Sequence, residues 1–192
     1  EAFLYYVEAE LEGTDCTDCL VGPLGGALSP DGLHLYVAAG LANTVSSFDR
    51  DVITGELTHS ATQVDNQDGV DGLEGVQAAV LSPDGEQVVT ASLDRTARTW
   101  KAKTGEALAT YAGDTEAVTS GRFTASGLEI VTASEDGTAR TWDVVVQPFL
   151  PVVTTLDAPV TGLAFVAGGE ALSAVAGTRS YRIGLPDGPA VD

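Results

Sequence analysis

Four carboxylates, Asp65, Asp68, Asp71 and Glu74, fall in the run 65–75, interleaved with Gly69, Gly72 and Gly75. Oxygen-rich loops that wrap tightly suit calcium, which takes about six to eight oxygen ligands. The spacing departs from the helical-hand calcium loop: counting from Asp65, position 3 is Gln67, position 5 is Gly69 and position 12 is Val76. Two readings stand, a calcium-stabilised surface loop and an acidic, solvated one. Cys16 and Cys19 form a Cys-Thr-Asp-Cys run followed by Leu20. A structural zinc site needs four ligands, and haem attachment needs a histidine next in line. A local disulfide is therefore the first expectation, free thiols the second and a metal the third. His34 and His59 are the only histidines, and neither has a nucleophile or carboxylate at a recognisable spacing. His34 alternates with Leu33 and Leu35, so it takes the opposite strand face. His59 is expected to be exposed on an outer strand. Catalytic residues are therefore not evident, although distant strands can converge.

Charge narrows the partners. The chain carries 28 acidic and 9 basic residues, a net charge of −19. Such a surface repels phosphate backbones, so nucleic acid and anionic membranes are poor partners, and no nucleic acid is expected. There is no apolar run of the ~18 residues that a membrane-spanning helix needs. At 44% hydrophobic and 19% charged, the sequence can build a core. It begins at Glu1 and contains no methionine, which is expected of a chain that has lost a leader or is part of a longer one.

The elements that position these residues are set by an internal repeat. Val80–Trp100 (VLSPDGEQVVTASLDRTARTW) aligns without gaps to Arg122–Trp142 (RFTASGLEIVTASEDGTARTW), at an offset of 42. Phe165 continues the frame from Phe123, with Tyr181 expected at the tryptophan position and about three residues lost before it. Upstream, Leu28-Ser-Pro-Asp-Gly matches Leu81-Ser-Pro-Asp-Gly at an offset of 53, and Phe48-Asp49 replaces the tryptophan. Each unit reads as four short strands. They are rich in Val, Thr and Ile and separated by turns in which proline and glycine supply the dihedrals. One such sheet cannot bury both faces; stacked around an axis, the sheets shelter one another. The expected fold is all-β, a β-propeller of four-stranded antiparallel blades, about four in this chain. The blades are expected at 24–64, 76–112, 118–156 and 160–183, with an N-terminal strand at 3–11 closing the last one. That strand would hide an exposed edge.

Residues 76–143 resemble WD-repeat blades, on Ser-Glu-Asp-Gly-Thr-Ala-Arg-Thr-Trp-Asp at 134–143 and its counterpart ending at Trp100. The resemblance implies structural roles for Asp94, Trp100, Asp136 and Trp142. The family's Gly-His pair is replaced by Gly113-Asp114, so the buried Asp-His-Ser/Thr-Trp tetrad lacks its histidine. Residues 24–85 resemble lactonase-like propellers, on Ser-Pro-Asp-Gly-Leu-His-Leu-Tyr-Val at 29–37 and Phe-Asp-Arg-Asp-Val-Ile-Thr-Gly-Glu-Leu-Thr at 48–58. Arg98 and Arg140 share one repeat position, with Arg95, Arg179 and Arg182 nearby. They form either a docking stripe for an acidic partner or partners for the chain's own carboxylates, the second being favoured.

The leading expectation is a non-catalytic interaction or structural scaffold with no cofactor. Its partner is a protein or another copy of itself, in an extracellular or periplasmic setting. The alternatives are a lactonase-like hydrolase and a calcium-stabilised extracellular surface protein.

Overall fold

The computed structural model describes residues 20–67, 69–144, 152–156, 158–165 and 171–184. The expected closing strand at 3–11, Cys16, Cys19 and Asp68 lie outside them. Among the described residues there are fifteen strands and no helix.

The strands fall into four antiparallel sheets, each a simple up-and-down series. Blade 1 is β1 (Pro23–Leu28), β2 (His34–Ala39), β3 (Thr44–Arg50) and β4 (Leu57–Val64). Blade 2 is β5 (Ala78–Leu81), β6 (Gln87–Ala91), β7 (Thr96–Lys101) and β8 (Ala107–Ala112). Blade 3 is β9 (Val118–Phe123), β10 (Glu129–Ser134), β11 (Thr138–Asp143) and β12 (Val152–Thr155). Blade 4 contributes β13 (Val160–Phe165), β14 (Ala171–Ala176) and β15 (Arg179–Gly184). The first strands of successive blades touch: β1 meets β5, β5 meets β9, and β9 meets β13. The result is an arc of stacked blades.

The repeat offsets survive as strand register. Leu28 pairs with Leu35, Leu81 with Val88, Phe123 with Ile130 and Phe165 with Leu172. The third strands follow: Leu35 faces Phe48, Val88 faces Trp100, Ile130 faces Trp142 and Leu172 faces Ile183. Phe48 thus holds the tryptophan position as expected. Tyr181 does not: it pairs with Ala174, as Arg140 pairs with Thr132. The turn at 177–178 is one residue shorter than its blade 3 counterpart, not about three, which puts Ile183 where tryptophan stood.

Strand alternation makes the core. Side chains at successive positions point to opposite faces, so each blade feeds two interfaces. In β6, Val88 joins Tyr36, Ala38, Ala79 and Trp100 between blades 1 and 2. Its neighbour Val89 joins Ala91, Val118, Phe123 and Ile130 between blades 2 and 3. In β10, Ile130 serves that interface while Val131 joins Ala133, Val160, Leu163 and Ala174 on the far side. A leucine- or valine-sized side chain buried this way contributes about 1.5–3 kcal/mol.

The turns between the first two strands are built alike. Ser29 Oγ donates to Asp31 Oδ1 and accepts from the His34 amide at 2.9 Å. Ser82 does the same with Asp84 and the Gln87 amide, also at 2.9 Å. In blade 3, Thr124 and Ser126 replace the pair, their hydroxyls 3.0 Å apart. The following glycine has φ of 75°, 76° and 72° at Gly32, Gly85 and Gly127, a left-handed conformation costly for other residues.

Candidate functional site

Two groups of polar side chains stand out: a belt of turns repeated in blades 2 and 3, and a groove between blades 1 and 2.

The belt lies at the turns between second and third strands. Ser92 Oγ donates to the Glu74 carbonyl, and Ser134 Oγ to the Glu116 carbonyl, 42 residues on. Asp94 Oδ1 accepts from the Thr96 amide and hydroxyl at 2.8 and 2.7 Å. Asp136 Oδ1 accepts the same pair from Thr138 at 2.9 and 2.6 Å. Each tryptophan donates Nε1–H to a threonine on the neighbouring strand, Trp100 to Thr90 and Trp142 to Thr132, both at 2.9 Å. A buried indole N–H needs such a partner. Asp94, Trp100, Asp136 and Trp142 therefore tie strands and turns together.

The histidine missing from the sequence pattern is replaced by an arginine network. Arg140 Nε donates to Asp114 Oδ1 at 2.5 Å, and Arg140 Nη2 lies 3.4 Å from Asp136 Oδ2. Asp136 Oδ2 also accepts from the Thr115 amide at 3.0 Å. Burial raises the Asp114 carboxyl above its usual value, and Asp136 nearby adds to this, while Arg140 opposes it. Burial also works against an ionised Asp136. There the hydrogen bonds from Thr138 and Thr115 prevail and hold it at about 2. In blade 2, Arg98 Nη2 lies 3.1 Å from Asp71 Oδ2 and 3.9 Å from Asp94 Oδ2. The arginine stripe at this repeat position is thus paired with the chain's own carboxylates. Arg95 is exposed, at φ 73°; Arg179 is exposed and the Arg182 side chain lies outside the described set.

The loop that suggested calcium is used in two ways. Asp65 Oδ1 accepts from the Leu73 amide at 2.9 Å and its Oδ2 from Asn66 at 2.7 Å. Asp71 turns to Arg98 instead, and Glu74 is exposed. Among the described residues, no three His, Cys, Asp or Glu side chains gather as a metal would require.

The groove, of about 560 Å³, is lined by Ser29, Asp31, His34, Asp49, Glu86 and Lys103, among others. His34 Nδ1 lies 2.9 Å from Asp49 Oδ1. This carboxylate partner is invisible in linear spacing: β2–β3 register brings it in from fifteen residues away. His59 is half-buried rather than exposed. It meets the Phe48 edge at 5.6 Å and shares a 2.8 Å hydrogen bond with Thr62. A His–Asp pair in a groove can in principle relay a proton. The groove's Ser29 and Ser47 hydroxyls are committed to Asp31 and to the Ala61 carbonyl. The hydrogen bond from Ser29, followed by that from the Leu33 amide, keeps Asp31 below the usual carboxylate range. Ser82 and the Glu86 amide do the same for Asp84. Both carboxylates are thus tuned toward turn anchors. An acid catalyst would need the opposite shift.

Residues 70–101 and 105–143 match the family model of the WD domain, G-beta repeat. The matched segments hold blade 2 and the first three strands of blade 3, β5 to β11. Together with four antiparallel sheets of three or four strands, the match fits a WD-repeat β-propeller. No curated protein matches the chain. Among the described residues, no helix is long and apolar enough to cross a membrane.

Proposed function

We propose that the protein is a non-catalytic scaffold that holds its loops rigid for a protein partner, including a second copy of itself. WD repeats typically serve protein interaction, and folds alone do not assign function. The observation that carries the reading is the fate of the polar groups. Asp31, Asp84, Asp94, Asp136, Arg98 and Arg140 all satisfy turns or one another. They stiffen the loops, and rigid blades presenting loops are a surface for recognition.

The His34–Asp49 pair in its groove favours a second reading, a lactonase-like hydrolase. Turnover of a panel of sugar lactones separates the two. The scaffold reading expects a rate equal to buffer, unchanged by His34→Ala or Asp49→Asn. Hydrolysis that is lost in those variants overturns it.

A further inference from the structure

The interface between blades 1 and 2 and that between blades 2 and 3 are built from equivalent positions, and one aromatic ring sets them apart. Between blades 2 and 3, Tyr111 of β8 is 1% exposed. Its ring centre lies 5.7 Å from that of Trp142 on β11. Sheet register gives the place of Tyr111 to Gln63 in blade 1. Tyr111 pairs with Ala97, which pairs with Ala91. Gln63 pairs with Val45, which pairs with Ala38. Ala38 and Ala91 are equivalent, three residues after the matched Leu35 and Val88. Trp100 in turn holds the place of Trp142.

Gln63 has no ring to offer Trp100, and a cavity of about 70 Å³ lies between them. Its walls include Gln63, Val45, Ala61, Leu73, Val88 and Trp100. Such a wall gives water few of the two to four polar partners that it needs. Tyr36, Ser47, Ala102 and Lys103 line both this cavity and the acidic groove beside it, so the two adjoin. In the groove, the exposed carboxylates of Asp31, Asp49, Asp84 and Glu86 face one lysine, Lys103, and one histidine, His34. Lys101, at the cavity wall, is engaged by Glu106 at 2.6 Å.

We propose that the cavity binds a small aryl-alkyl ammonium compound, its ring against Trp100 and its charge in the groove. The ring takes the place that Tyr111 fills beside Trp142. Aromatic pairs favour centre distances of about 4.5–7 Å in offset or tilted arrangements, and the Tyr111–Trp142 pair is of this kind. An apolar cavity of roughly 150 Å³ holds benzene. The ring therefore enters as the half-buried Gln63 amide turns toward solvent. The charge follows from the groove, where carboxylates outnumber cations and attract a positive ligand. The proposal goes beyond the scaffold reading and does not depend on it.

The chain has two tryptophans, so two indole N–H signals in proton–nitrogen NMR report the two interfaces separately. Phenethylamine, cationic at neutral pH, is the probe. It should shift the Trp100 signal within about 10 mM, a range suited to so small a ligand, and leave the Trp142 signal in place. Phenylacetate has the same ring with the opposite charge, and butylamine has the charge without the ring. Each should bind at least about tenfold more weakly. Gln63→Tyr, which gives blade 1 its own ring, should weaken phenethylamine at least about tenfold. Ala61→Leu narrows the same cavity and carries the same expectation if Gln63→Tyr does not fold, which near-ultraviolet circular dichroism checks. A Trp100 signal that does not move in the wild type overturns the inference. So does equal binding of phenylacetate or butylamine, or undiminished binding in the folded variants.

Discussion

Blades 2 and 3 share the run Thr-Ala-Arg-Thr-Trp, at 96–100 and 138–142, yet its arginine lives in two electrostatic settings. Arg140 is clamped by Asp114 and Asp136, whose side chains are 1% and 6% exposed. Arg98 reaches Asp71, which is 70% exposed, with Asp94 more distant. One repeat position thus serves as a buried strut in one blade and a surface pair in the next. The loop before the first strand decides which: Gly113-Asp114 tucks a carboxylate inward, whereas Asp71-Gly72 leaves it in solvent.

The largest expected effect follows directly. Arg140→Ala strands two carboxylates and should cost about 3–5 kcal/mol of stability. Arg98→Ala should cost under about 1 kcal/mol. Urea unfolding of both variants measures the gap, and equal losses would erase the distinction between the blades.

The next contrast lies one turn away. Arg95 and Gly137 hold the same left-handed turn position, with φ of 73° and 81°. A Cβ at Gly137 would sit 3.1 Å from the Leu156 carbonyl oxygen. Gly137→Arg should therefore cost at least about 1–2 kcal/mol. Arg95→Gly relieves strain but loosens the unfolded chain, and should shift stability by no more than about 1 kcal/mol. The same unfolding curves report both.

Acid sharpens the comparison further. Asp136 is held at about 2 in the folded state against an ordinary value of 3.8. Its contribution is full above about pH 4 and is lost as pH falls toward 2, because the unfolded chain binds the proton first. Asp114, raised by burial, has the opposite sign: its ionised form weakens the fold as pH rises through its titration. Asp136→Asn should flatten the loss of stability between pH 4 and 2, followed by urea midpoints at each pH. An unchanged slope would remove Asp136 from the network.

The smallest effect concerns the far end of the same strands. Glu129 pairs across the sheet with Asp143, where blade 2 has Gln87 opposite Lys101. Burial and then Asp143 raise the Glu129 carboxyl. Glu129→Gln should gain about 0.2–1 kcal/mol at neutral pH. The gain should vanish in acid, where Glu129 is protonated, and a melting series against pH would show it.

Much of the fold is legible in residue order. The 42- and 53-residue offsets predict strand register, because identical turns force identical pairings. Ser-Pro-Asp-Gly encodes its own hydrogen bonds, since serine, aspartate and glycine all act within a few residues of one another. The candidate site is less legible. Asp49 reaches His34 through sheet register, and only a count of residues around the turn between β2 and β3 could have found it. Tyr181 is expected at the tryptophan position on a loss of about three residues, but the turn loses only one, and Ile183 takes that position. Asp114 is visible as the substitute for a family histidine, but its partner Arg140 is not, because the two meet across 26 residues.

By itself, the sequence determined the repeat, the blade composition and the polar turns, all of which depend on neighbours close along the chain. Tertiary structure alone decided which copies of a repeated residue are buried. Burial depends on whether another blade lies over the face, and identical residues at the end and in the middle of a stack differ only in that. Leu28 and Phe123 hold the same place in the repeat, and packing leaves one in solvent and seals the other in the core.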